Sequence, residues 1–126
     1  MKEQFATREI SEILKSKGFD EPCYAHFRDN DKEPTMLSTG IAGVKYSWIE
    51  ESPILAPLWQ QVIDWLRDKH FIYTEVEKTN FKNDDFLVKV RRYNKNDRLC
   101  KASKYDSFRT HSKAMEQAII KSLKLI

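Results

Sequence analysis

Three stretches of the second half, about Phe71–Lys78, Phe86–Tyr93 and Arg98–Tyr105, repeat their side-chain character every second residue. That period belongs to a strand with one buried face and is wrong for a helix. The intervening segments, Thr79–Asp85 and Asn94–Asp97, are rich in Asn and Asp, the chemistry of turns. The spacing predicts a meander. Ile72, Thr74 and Val76 share one face with Phe86, Val88, Val90, Cys100 and Ala102. The other face carries Tyr73, Glu75, Lys89, Arg91, Tyr93, Lys101, Ser103 and Tyr105. A slip of one residue would exchange the two sets, so the register is strongly specified.

Helical patterns flank the meander. Leu58, Trp59, Val62, Ile63 and Leu66 form one stripe with Trp65 on its flank, and Pro57 suits the first helical turn. After it, His111–Leu123 reads as a helix capped by Thr110, with Ala114, Met115, Ala118, Ile119 and Leu123 as its apolar side. Laying both helices on the apolar face gives a two-layer α+β arrangement. The first half is plainer. Arg8–Lys17 reads as a short helix with Thr7 as N-cap, Gly18 as the left-handed residue after it and Phe19 folding back. Cys23, Ala25 and Phe27 alternate with Tyr24, His26 and Arg28, and Thr35–Thr39 offers a hairpin partner. Val44, Tyr46 and Trp48 suggest one more short strand in the otherwise patternless residues 40–52. The expectation is a single α+β domain over 1–126: a helix and hairpin region in 1–54, then a helix-β-β-β-helix core in 55–126. Its antiparallel sheet, the C-terminal meander plus the N-terminal hairpin, packs against two main helices.

Length and composition suit one soluble globular domain, with 126 residues, 40% hydrophobic and 33% charged. No apolar run approaches the roughly 20 residues of a membrane span, and the first residues lack the apolar core of a secretory signal. The expected compartment is the cytoplasm, with Cys23 and Cys100 as small buried hydrophobes. Charge is uneven. Residues 1–70 hold nine Lys and Arg against twelve Asp and Glu, a net −3, whereas residues 71–126 hold thirteen against seven, a net +6. Between Phe86 and Lys113 nine basic residues face only Asp97 and Asp106, a band that would attract a polyanion.

Several phrases are shared with known sequences. Met1-Lys2-Glu3-Gln4-Phe5, Gly18-Phe19-Asp20-Glu21-Pro22-Cys23, the run Leu55 to His70 and the closing Ala118 to Ile126 together resemble a family of small uncharacterised proteins encoded in Bacteroides-type gut bacteria and their phages. That resemblance implies a phage or mobile-element origin and no particular activity. From Leu55 onward the order of elements also resembles the double-stranded-RNA-binding domain. That family's Gly-Pro-His loop is here Thr79-Asn80-Phe81-Lys82-Asn83-Asp84-Asp85, and its Lys-rich helix start is here His111-Ser112-Lys113. Its RNA-binding residues therefore do not carry over, and a shared fold alone assigns no function.

The residues suggest binding and not catalysis. Lys89, Arg91 and Lys101, interleaved with Tyr73, Tyr93 and Tyr105, would neutralise phosphates and stack on bases of a nucleic acid. Arg109, His111 and Lys113 gather at a helix start, where free N–H groups favour anions. Glu75 opposite Lys89 gives the plainer alternative of a solvated face with a cross-strand ion pair. Trp48 and Trp65 would be partly exposed and would anchor a protein partner or a second copy, as would a free sheet edge. No spacing of Cys and His matches a zinc site. The acidic run Asp29–Glu33 lacks the glycine and distal glutamate of a calcium loop, and no glycine-rich phosphate loop or nucleophile elbow occurs. The expectation is no cofactor, no metal and no enzyme.

Overall fold

Thr7 starts the chain's first helix as the capping rule requires: its Oγ1 accepts from the Ile10 N–H at 3.3 Å. This is α1, Arg8–Ser16. It ends as anticipated, with Gly18 at φ +85 and the Phe19 and Gly18 N–H groups returning to the Leu14 and Lys15 carbonyls. These positions belong to a computed structural model that describes residues 4–37, 43–49, 53–79, 86–102 and 106–126. The chain divides into two compact units, Met1–Gln61 and Val62–Ile126.

In the first unit, β1 (Ala25–Phe27) pairs antiparallel with β2 (Thr35–Met36), the expected hairpin. On its other side lies β3 (Ile54–Ala56), a strand that no sequence period announces. This three-stranded sheet is separate from the C-terminal one, in place of the single sheet expected. Cys23, Ala25 and Phe27 are buried as their alternation implies. Phe5, Ala25, Phe27 and Ala56 make a small apolar cluster, with Ile54 and Leu58 packed against it. Residues 46–48 form a 3-10 turn and not a strand. Two side chains hold it. Asp20 Oδ1 accepts from the Ser47 N–H at 3.0 Å, a bond that lowers the Asp20 pKa below its ordinary 3.8. The Tyr46 hydroxyl accepts from the Leu55 N–H at 2.8 Å. Burial pushes the Tyr46 phenol up to about 12. Gly43, at φ +71, lies so close to the Cys23 carbonyl and the Pro22 side chain that a Cβ would sit 3.1 Å from each.

Helix α2 (Trp59–His70) contains the division between the units. Pro57 precedes it by two residues and is not in its first turn. The Gln61 side chain takes that capping role, accepting from the Leu58 N–H at 2.9 Å. Trp59, Val62, Trp65 and Leu66 are buried.

The second unit carries β4 (Ile72–Lys78), β5 (Phe86–Tyr93), β6 (Leu99–Ala102), β7 (Asp106–Phe108) and α3 (His111–Leu123). β4, β5 and β6 form the expected meander. The expected third strand is split: β6 pairs with the far end of β5 and β7 with its start, while residues 103–105 lie outside the described residues. α3 packs on β4, β5 and β7. Beneath it Ile72, Val88 and Val90 are fully buried, and Thr74 nearly so. Each aliphatic side chain there contributes about 1.5–3 kcal/mol. Ser122 Oγ donates to the Ala118 carbonyl at 2.8 Å, so the Thr74 hydroxyl, 2.7 Å away, is the donor to Ser122. Arg92 Nη1 donates to the Leu125 carbonyl, and Lys121 pairs with Asp106, tying α3 to both ends of β5's neighbourhood.

Two stability experiments follow from these ties. Ser122→Ala removes the acceptor of a buried hydroxyl and should cost about 1–3 kcal/mol. Adding Thr74→Val to it should recover part of that loss, giving a favourable coupling energy in a denaturant double-mutant cycle. Above pH 10 an unfolded tyrosine ionises before Tyr46 does, because the folded phenol titrates near 12. The stability supplied by Tyr46 is therefore complete below pH 10 and lost as pH rises toward 12. Denaturation midpoints across that window should fall more steeply for the wild type than for Tyr46→Phe.

Candidate functional site

The inner face of the second sheet decides what its outer face shows. With Val88 and Val90 at 0% exposure, Lys89 and Arg91 must point away from α3. The ladder then arranges the outer face in levels. Tyr73 stands opposite Arg91, Glu75 opposite Lys89, and Glu77 opposite Leu87. Phe71 extends the ladder by accepting from the Tyr93 N–H at 2.9 Å, and Leu99 faces Tyr93 from the other side. Tyr73 and Tyr93 meet diagonally, with ring centroids 5.3 Å apart at 87°. A cleft of about 320 Å³ opens here, lined by Tyr73, Glu75, Lys89, Arg91, Tyr93 and Asp97. Four of these six, Tyr73, Lys89, Arg91 and Tyr93, belong to the binding face expected from the sequence.

The electrostatics differ from a bare basic patch. Lys89 does have Glu75 as its register partner, but its ammonium bonds to Glu77 at 3.1 Å, one level along. Glu75 and Asp97 also line the cleft, so two acids answer its two bases. Asp97 is delivered by the β5–β6 turn, at φ +62. There Asn94 Oδ1 accepts from the Asn96 and Arg98 N–H groups at 2.9 and 3.0 Å. Phe71, at φ +57 and 42% exposed, and Leu99, at 56%, add apolar surface to the same end of the sheet. The Asn/Asp signal of that turn is legible in the sequence, although Asp97's place in the cleft is not.

Lys101 does not join the cluster. Tyr93 pairs with Leu99, yet the next residue, Arg92, pairs with Lys101, so Cys100 is one residue too many. This bulge shifts the alternation. Lys101 now shares the α3 side with Arg92, and Ala102 takes the outer place beside Arg91. Cys100 is consequently exposed and not buried. Tyr105 lies outside the described residues. Arg109, His111 and Lys113 are exposed at the start of α3, where Thr110 Oγ1 accepts from the Lys113 N–H. The His111 ring meets Phe86 at 5.5 Å, which puts this group at the opposite end of β5, about 24 Å from Tyr93.

The two tryptophans part company. Trp65 is buried, 5% exposed, with its ring 4.7 Å from that of His70, so it offers no surface anchor. Trp48 is 60% exposed, with the Lys45 ammonium 5.4 Å from its ring centre. A second cleft, of about 500 Å³, lies beside Arg8, His26, Arg28 and Asp29 in the first unit. Its arginines serve the loop: Arg8 Nη1 donates to the Arg28 and Asp31 carbonyls at 2.7 and 2.9 Å, and Arg28 pairs with Asp31 at 3.3 Å.

No group of three or more His, Cys, Asp or Glu placed to hold a metal ion occurs among the described residues, nor is any helix there long and apolar enough to cross a membrane. Comparison with protein-family models, with curated proteins and with solved structures gives no match.

The two thiols should separate chemically. Cys23 is fully buried and burial pushes its thiol up to about 12, whereas Cys100 stands in solvent. A thiol reagent at pH 8 should label one cysteine rapidly in the folded protein and both after denaturation. Peptide mapping should place the fast label on Cys100.

Proposed function

We propose that this chain is a non-catalytic binding module that docks a protein partner flat on the open face of its second sheet. The expected setting is the cytoplasm, and the family resemblance implies an accessory factor of a phage or mobile element. The carrying observation is the composition of that face: Phe71, Tyr73, Tyr93 and Leu99 gathered around Arg91, with no element of the second unit laid over them among the described residues. Tyr and Arg dominate interface hot spots, and apolar side chains left in water favour being covered. The local acids Glu75, Glu77 and Asp97 argue for a protein over a polyanion, since they cancel the charge that phosphates would seek.

The edges are poorer docking places than the face. β6 is only four residues long, bulged, and carries Lys101, all of which discourage a further strand. A second copy added across β4 would set Glu75 and Glu77 beside their own equivalents.

A photo-crosslinking amino acid at Tyr73 or Tyr93 in living cells should give a discrete protein adduct that disappears with Arg91→Glu, while the same label at Arg109 should not. Adducts formed equally from all three positions would refute a dedicated face. Adducts removed by nuclease, together with salt-sensitive binding of a mixed-sequence oligonucleotide that Arg91→Glu abolishes, would instead assign the face to nucleic acid.

A further inference from the structure

The open face is self-complementary, and we infer that its occupant is a second copy of this chain, packed sheet against sheet about a two-fold axis running along the strands between β4 and β5. This inference rests on the docking reading above and names the partner.

Cross-strand register fixes height. Residues opposite each other on β4 and β5 lie at the same level along the strands. A two-fold axis parallel to the strands preserves that level and exchanges left for right. Placed between β4 and β5, it lays β4 of one copy over β5 of the other. Glu75 then faces Lys89 of the second copy, and Tyr73 faces Arg91 of the second copy. Phe71 comes to the height of Tyr93 of the second copy. Each encounter occurs twice, as a two-fold interface demands.

The choice of axis follows from the charge order. Every outward acid of this face that lies on a described strand, Glu75 and Glu77, is on β4, and both outward bases of the pair, Lys89 and Arg91, are on β5. Placing the axis along β5 instead would set Lys89 on Lys89 and Arg91 on Arg91. Like charges brought together cost energy, so the charges select the axis between the strands. Lys89 keeps its 3.1 Å bond to Glu77 and gains Glu75 of the second copy, so it is answered by two carboxylates. Arg91 gains the face of a tyrosine ring, a favourable cation–π placement.

The area sets the strength. With the axis between β4 and β5, these two strands of seven and eight residues overlap over roughly 10 by 24 Å, well below the area of a stable dimer. The pair should therefore be transient, with a dissociation constant in the micromolar range or weaker and falling affinity as salt rises.

Sedimentation velocity of the full chain at about 100 µM and low salt should show a monomer–dimer equilibrium. Glu75→Lys and Lys89→Glu should each leave a monomer, because each creates two like-charged encounters. Mixed in equal amounts, the two variants should associate again. In the mixed pair one copy presents two lysines at these positions and the other two glutamates, so both encounters join opposite charges. Circular dichroism and thermal melts of the single variants confirm that both are folded. Dimerisation that survives both substitutions, or a mixture that stays monomeric while the wild type dimerises, would overturn this two-fold. A wild type that is monomeric throughout would overturn self-association. If Tyr73 crosslinks in cells still depended on Arg91, the docking face itself would stand with a different partner.

Discussion

The second unit turns on the antiparallel register of β4 and β5. Seven consecutive residue pairs hold it, from Ile72 with Arg92 to Lys78 with Phe86. Ile72, Val88 and Val90 lose all solvent exposure under α3, and each is worth about 1.5–3 kcal/mol. A slip of one residue would send that group to water and bring Lys89 and Arg91 under the helix, at several kcal/mol more for each unpaired charge. The outer face is thus fixed by burial on the inner one. Tyr73, Glu75, Lys89 and Arg91 need make no favourable contact with each other to be held in this order.

Legibility in the sequence follows the same division. The β4 and β5 segments are readable because a strict period of two over seven and eight residues has one physical solution. The caps are readable because Thr7 and Thr110 accept at the third residue beyond, as side chains of that length do. The third strand is not. Leu99-Cys100-Lys101-Ala102 alternates acceptably in either register, and nothing in those four side chains announces an extra residue. The contacts nearest to it are not periodic either: the Asn94–Arg98 turn precedes β6, and Asp106 of β7 pairs with Lys121. One inserted residue moves Lys101 from the expected site to the opposite face and brings Cys100 into solvent. The burial of Trp65 escapes the sequence for a related reason. A flank position on a helical wheel says how a residue is oriented on its own helix, and burial depends on what arrives from elsewhere.

The first unit is harder to read because polar ties hold much of it. β3 is three residues between Pro53 and Pro57, too short to display a period. The 3-10 turn at Tyr46–Trp48 depends on an aspartate 27 residues upstream and on a phenol that reaches forward to Leu55. Gln61 reaches back to the Pro22 carbonyl while capping its own helix. Such bonds join residues distant in sequence through single donors and acceptors, and they leave no repeating pattern.

Charge shows how geometry revises composition. Summed along the chain, residues 71–126 look like a ligand for polyanions. Resolved by level across the sheet, the same residues form acid–base couples: Glu75 beside Lys89, and Glu77 bonded to Lys89. Further positive charge lies on Lys95 and Arg98 of the β5–β6 turn, on Lys101 of β6, and on Arg109 and Lys113 at the start of α3. A face whose acids occupy one strand and whose bases occupy the next carries an in-plane polarity. Polyanions present one sign everywhere and cannot match it. A protein surface can, and the surface of identical order turned by half a revolution sets Glu75 against Lys89 and Tyr73 against Arg91. The order of signs across two strands therefore says more about a partner than their total.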